Sequence, residues 1–186
     1  MRTIGVKDLY FAPQLTDTIA GATYSAPFKI ARAINVKISP KTSSDKWYSD
    51  DSLEEVVGMF DSIDVEIEAN DLTYEIRAKL QGITTQNGEL VETSNDIAPV
   101  GALMFRALTS TGKYRYVILY KGKFELGEDE YSSKADKIDS KTPKLKGVFY
   151  AREDGKWRFS LDANATGASA TKTAAWFTAV QEATVA

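Results

Sequence analysis

Ile63-Asp64-Val65-Glu66-Ile67-Glu68 alternates apolar and acidic residues without a fault. Successive side chains of a strand point to opposite faces, so Ile63, Val65 and Ile67 share one face and Asp64, Glu66 and Glu68 the other. Such a stretch reads as a strand with one face on a core and the other charged. The segments around it follow the same logic. Ile34-Asn35-Val36-Lys37-Ile38 alternates likewise and stops at Pro40. Ala98 to Leu108 is almost continuously apolar, as in a strand covered on both faces. Tyr114, Tyr116, Ile118 and Tyr120 share one face of a strand expected over 113–126. Asn87-Gly88 predicts a type I′ turn joining 83–86 to 89–94, and Asp154-Gly155 predicts a hairpin joining 146–152 to 156–161.

One segment breaks the strand series. Leu72, Ile76 and Leu80 recur every four residues, Asn70 and Asp71 offer caps in front, and Gly82 closes the run. This predicts a helix over 72–81. The expected fold is therefore mainly β: a β-sandwich or partly closed barrel with one flanking α-helix. The 186 residues suffice for one core without staples. Residues 1–27, with Pro13, Gly21 and Pro27, read as an N-terminal arm, and 28–162 as the β domain. Residues 163–186, rich in Ala and Thr, read as a C-terminal arm carrying Trp176-Phe177. Two polar stretches, 41–60 and 127–142, read as long loops, which in compact domains are commonly functional or disordered.

Composition removes much chemistry. The chain has neither cysteine nor histidine, so thiol nucleophiles, thiolate or imidazole metal sites and the Ser-His-Asp triad are excluded. A formal net charge of −3 argues against a dedicated nucleic-acid binder. The nearest approach to a phosphate loop, Gly122 to Gly127, is followed by Glu128 rather than Lys. Met1 to Val6 lack a signal peptide's apolar stretch, and the absence of cysteine fits cytoplasmic synthesis. The apolar runs 98–105 and 116–120 are far short of the roughly 20 residues of a membrane span. No cofactor, metal or enzymatic activity is expected.

Carboxylates and aromatics remain. Asp64, Glu66 and Glu68 stand roughly 7 Å apart along their strand face, a spacing that fits an acid/base pair or a magnesium site. A solvated face is the commoner meaning of such a row, as it is for Asp50-Asp51 and Glu54-Glu55. Trp47 and Tyr48, in a polar stretch, suit either contact with a partner or local packing. Trp176-Phe177 must dock on something, its own domain or a neighbour.

Val6-Lys7-Asp8-Leu9-Tyr10-Phe11-Ala12-Pro13, the block from Tyr48 to Gly82, and Ala175-Trp176-Phe177-Thr178 resemble siphophage major tail proteins, the subunits of non-contractile tail tubes. The resemblance runs through nearly the whole chain. It implies a β-sandwich or barrel with a flanking helix, and hexameric rings whose inner sheets join into one continuous β-barrel. Rings of that family stack through a long loop, helped by terminal arms, and DNA passes down the lumen. Here the stacking loop would be 41–60, with Lys46, Trp47, Tyr48, Asp50 and Asp51 as inter-ring contacts. Further implied partners are tape-measure, tail-terminator and distal tail proteins, and the implied location is the virion after assembly in the host cytoplasm. No family catalytic residue exists to transfer. A conduit must not hold its cargo, and acidic residues release phosphates that basic ones retain. Asp64, Glu66 and Glu68 are therefore expected to face the lumen, with the outer face of the ring as the alternative. Three other readings stand beside this one. They are a tube protein of a contractile or secretion machine, a carbohydrate-binding β-sandwich of a tail tip using Trp47 and Tyr48, and a carboxylate-only hydrolase.

Overall fold

The computed structural model describes residues 2–49, 52–125 and 142–184, and along 45–49 and 52–57 the backbone alone. The chain runs β1 (Thr3–Thr18), β2 (Gly21–Tyr24), β3 (Phe28–Ala31), β4 (Ala33–Ser49), β5 (Ser52–Ala69), α1 (Tyr74–Gln81), β6 (Thr84–Gln86) and β7 (Glu89–Val91). It continues with β8 (Gly101–Thr109), β9 (Tyr114–Phe124), β10 (Lys144–Tyr150), β11 (Arg158–Asp162) and α2 (Ala170–Ala174). The fold is mainly β. One large antiparallel sheet has the order β2-β1-β8-β9-β10-β5-β4, with β3 added to β1 and β11 to β9, and β6-β7 form a separate hairpin. The sheet curls until β4 nears β1, but the two form no ladder and the barrel stays open.

The alternation at 63–68 is realised as read: Ile63, Val65 and Ile67 are buried in the core enclosed by the curl, with Leu9, Phe11, Leu103, Leu119, Phe124 and Phe149. Helix α1 packs on this core through Leu80, with Leu72 and Ile76 beside it. Its N-cap is Thr73, whose hydroxyl accepts from the Ile76 N–H, and not Asn70 or Asp71. Gly82 ends it in the left-handed region at φ 71°. A Cβ there would lie 2.1 Å from the Ile97 carbonyl oxygen, so the turn requires glycine. The Asn87-Gly88 hairpin forms as expected, both residues having positive φ.

Four expectations change. Residues 1–27 are no arm, because β1 lies inside the sheet, with Leu9, Phe11 and Ala12 fully buried. Asp8, at φ 55°, interrupts the β1–β8 register between Lys7 and Tyr10, which breaks the period by which a strand is recognised. The stretch 41–60 is no loop either: β4 and β5 continue pairing from Thr42↔Phe60 to Ser49↔Ser52. Beyond Ile63, β5 has no third strand among the described residues, so this two-stranded ribbon projects about 25 Å from the sheet. Its sequence from Ser43 to Ser52 is polar apart from Trp47 and Tyr48, so no apolar period marks it as a strand. Asp50 and Asp51 at its turn, and most of the other expected loop, 127–142, lie outside the described residues.

The third change concerns Asp154-Gly155, which turns the chain but makes no hairpin. β10 pairs with Lys121–Phe124 of β9 and β11 with Arg115–Leu119, on the same edge. They form one continuous line along that side of β9, interrupted by the excursion 151–157. Finally, a second short helix, α2, accompanies the expected one.

Candidate functional surfaces

The row Asp64, Glu66, Glu68 faces away from the core but does not form an acidic surface. In register, Glu66 has Lys37 on one side and Lys146 on the other, and Glu68 has Lys144. The Lys41 ammonium sits 2.7 Å from the Asp64 carboxylate and the Lys37 ammonium 3.6 Å from Glu66. The Thr142 hydroxyl donates to Glu68. Across β4, β5 and β10, four lysines meet three carboxylates on this face, with Glu125 beside them, so it is charge-mixed. Strand register brought these lysines in, and register is invisible in the sequence. Lys41 is held above the usual lysine range by its hydrogen bond and attraction to Asp64. Among the described residues no group of three or more Asp or Glu is placed to hold a metal ion.

The same side of the sheet carries a second, smaller core over β1, β8 and β9. Ala12, Ala102, Met104, Tyr116, Ile118 and Tyr120 form its floor. Its cover is the chain's own C-terminal segment. Trp176 is fully buried, 5.1 Å from the Tyr116 ring and 5.3 Å from Phe159, and Phe177 lies 4.8 Å from Tyr10. The pair anchors on its own domain, and 163–184 is a strap rather than a free arm. The shared face of Tyr116, Ile118 and Tyr120 is thus packing surface, as cross-strand spacing suggests.

The far end of the strap is fixed by residues that no sequence pattern singled out. Arg152, in the excursion 151–157, is almost wholly buried. Its guanidinium lies 4.1 Å from the Tyr120 ring centre and donates to Asp154 and to Glu182 of the strap. The Tyr120 hydroxyl donates to the Gln181 carbonyl at 3.0 Å, and Tyr24 donates to the Tyr120 carbonyl at 2.9 Å. Burial opposes the charge of Arg152, yet its bonds to Glu182 and Asp154 hold its pKa above the arginine range. Burial likewise pushes the Tyr24 phenol up to about 12. Arg152 and Glu182 are 30 positions apart, and nothing local in the sequence couples them.

Asp154 is held down to about 2, chiefly by the hydrogen bond from Arg152. Asp162 is held down to about 2, chiefly by the Asn164 backbone N–H. Unfolded aspartates, near 3.8, take up protons first as pH falls. The stability these two supply is therefore complete above about pH 4 and is lost on the way to pH 2. Pepsin cleavage within the strap is expected to begin in that window in the native chain. In Asp154→Asn, whose Arg152 is less firmly held, it should already be fast at pH 4. An onset independent of residue 154 would remove the network as its cause.

Exposed apolar side chains gather at the two ends of the ladder. Ile4 and Met59 lie towards one end, Leu15, Ile19 and Tyr74 beyond the other. A cleft of about 450 Å³ opens where β1 (Thr3 to Val6) and β4 (Ile34 to Ile38) splay apart. Lys46, Trp47 and Tyr48 fall on the β4 strand of the ribbon by backbone position; their side chains lie outside the described set. No described helix is long and apolar enough to cross a membrane. Compared with known proteins, the chain matches no family model and no curated sequence.

Proposed function

We propose that this chain is a self-assembling structural subunit of the tail-tube kind. Copies join into stacked hexameric rings around a conduit through which DNA passes without being specifically bound. The observation that carries the reading is the ribbon, Thr42–Ser49 paired with Ser52–Phe60. An isolated two-stranded hairpin is marginal in water, and its unpaired edges invite another chain. A ribbon of this length is best explained by a partner surface. Apolar residues exposed at both ends of the ladder support the same reading, since different patches at opposite ends favour head-to-tail association, which repeats into rings or filaments. If the charged face over β4, β5 and β10 lines the conduit, its lysines are largely neutralised by the carboxylates between them. That limits counterion release and keeps the duplex mobile.

The test is negative-stain electron microscopy of the concentrated protein, with a variant in which residues 43–59 are replaced by a two-residue turn between Thr42 and Phe60. The native chain is expected to form six-fold rings or hollow tubes. The shortened chain should keep its circular dichroism spectrum and stay monomeric. Native protein monodisperse as a monomer at every concentration, also with preformed tubes added as seed, would overturn the reading.

A further inference from the structure

The hairpin of β1 and β2 ends in Thr18-Ile19-Ala20-Gly21, with Thr18 paired to Gly21 across a two-residue turn. Its tip is apolar and bare: Ile19 is 83% exposed and Leu15 66%. From Thr18 to Tyr24 the chain carries no charge. Among the described residues, neither Ile19 nor Leu15 belongs to a core cluster.

At the other end of the same strand lies the cleft between β1 and β4. Its floor is Phe105, Ala107 and Val117, and its lips carry Ile4 and Ile34, 63% and 49% exposed. Among the described residues both lips are strand edges without a ladder partner towards the cleft. The charged groups at its rim are already engaged: Arg115 donates to Asp162 at 2.8 Å, and Arg158 to the Ser160 hydroxyl at 3.0 Å.

We infer that the Ile19 knob of one copy seats in the β1/β4 cleft of the next. This rests on the self-assembly reading above and names the surfaces that join. An uncharged apolar tip suits a floor of Phe105, Ala107 and Val117, at whose rim Arg115 is paired with Asp162 and Arg158 is turned onto the Ser160 hydroxyl. The ribbon, the other projection, suits it less, since over 45–57 it carries Asp45, Asp50, Asp51, Glu54 and Glu55 against Lys46 alone. Burying those carboxylates beside Phe105 and Val117 would cost their hydration. The open edges add backbone hydrogen bonding to whatever short extended segment enters, as in strand addition. Knob and cleft occupy opposite ends of β1, so each copy that inserts its knob still offers an empty cleft, and the contact propagates.

The chain has no cysteine, which makes the test clean. Full-length Ile19→Cys and full-length Ile34→Cys are mixed and oxidised, and the heterodisulfide is followed on non-reducing gels. Seating raises the effective thiol concentration, so the bond should form at least about tenfold faster than between Val91→Cys and Ile34→Cys, both surface positions. Ile19→Asp, read by sedimentation, should lower self-association by about tenfold or more. Equal rates for the two pairs would overturn the inference, as would faster trapping of Ile34→Cys by Ser44→Cys on the ribbon. Rings without the Ile19–Ile34 bond would sink this contact and leave the tube reading standing. The bond without rings would do the reverse.

Discussion

Alanine at position 176 is expected to lower folding stability by about 3–5 kcal/mol, the range for emptying a buried tryptophan site. Trp176 is fully buried between Tyr116 and Phe159 and covers Met104 and Ile118. Those floor residues belong to the same strands whose other faces build the main core, so uncovering them wets one whole face of β8 and β9. The indole N–H is buried without a hydrogen-bond partner among the described residues, which already costs something. Trp176→Phe should therefore recover much of the loss, because it restores apolar area without the orphan donor. Urea unfolding followed by far-ultraviolet circular dichroism measures both. A loss below about 1 kcal/mol in Trp176→Ala, with rapid proteolysis confined to 163–184, would show that the strap is not part of the cooperative unit.

Arg152→Met is expected to cost about 3–5 kcal/mol, since removing one partner leaves the others buried and uncompensated. Asp154 is almost as buried as Arg152, so among the described residues its carboxylate keeps only Lys156, 3.4 Å away, as a close counter-charge. Glu182 is half exposed and can turn to water, so Asp154 and the lost packing on Tyr120 dominate. Arg152→Lys keeps the charge but not the fork that reaches Asp154 and Glu182 at once, and should recover less than half. In the double change Arg152→Met with Asp154→Asn, the stranded charge is gone, and most of the loss should return. If the double variant is as unstable as the single one, packing rather than charge sets the penalty.

Both residues bear on how far the fold was legible. Where a strand has one buried face, as at 63–68, or two, as in β8, the period follows from burial and the sequence states it directly. The α1 stop at Gly82 and the Asn87-Gly88 turn were equally plain, because each depends on a backbone conformation few residues tolerate. β1 hid because Asp8 shifts its alternation by a step. The ribbon hid because Ser43 to Ser52 lacks the apolar alternation by which a strand is recognised. The 151–157 excursion looked like a hairpin because Asp-Gly fixes a turn and says nothing of which strand its flanks pair with. The candidate surfaces fared similarly. The acidic row was visible, whereas the lysines that neutralise it arrive through pairing partners as distant as Glu66 and Lys146. Trp176-Phe177 announced an anchor, but only the fold says that its berth lies on Tyr116, Phe159 and Tyr10.

The pairing of β1 with β8 also dictates a timetable. Tyr10 stands opposite Met104 in that ladder, 94 positions later. At ordinary rates of elongation, Leu9 and Phe11 leave the ribosome roughly 5–20 s before the strand they need exists. The β4–β5 ribbon has only itself to wait for and can zip in microseconds. The strap comes last, closing over β1, β8 and β9 when residues 176–182 emerge. A nascent chain therefore forms its projecting ribbon long before its body, which closes only once residues 176–182 have emerged.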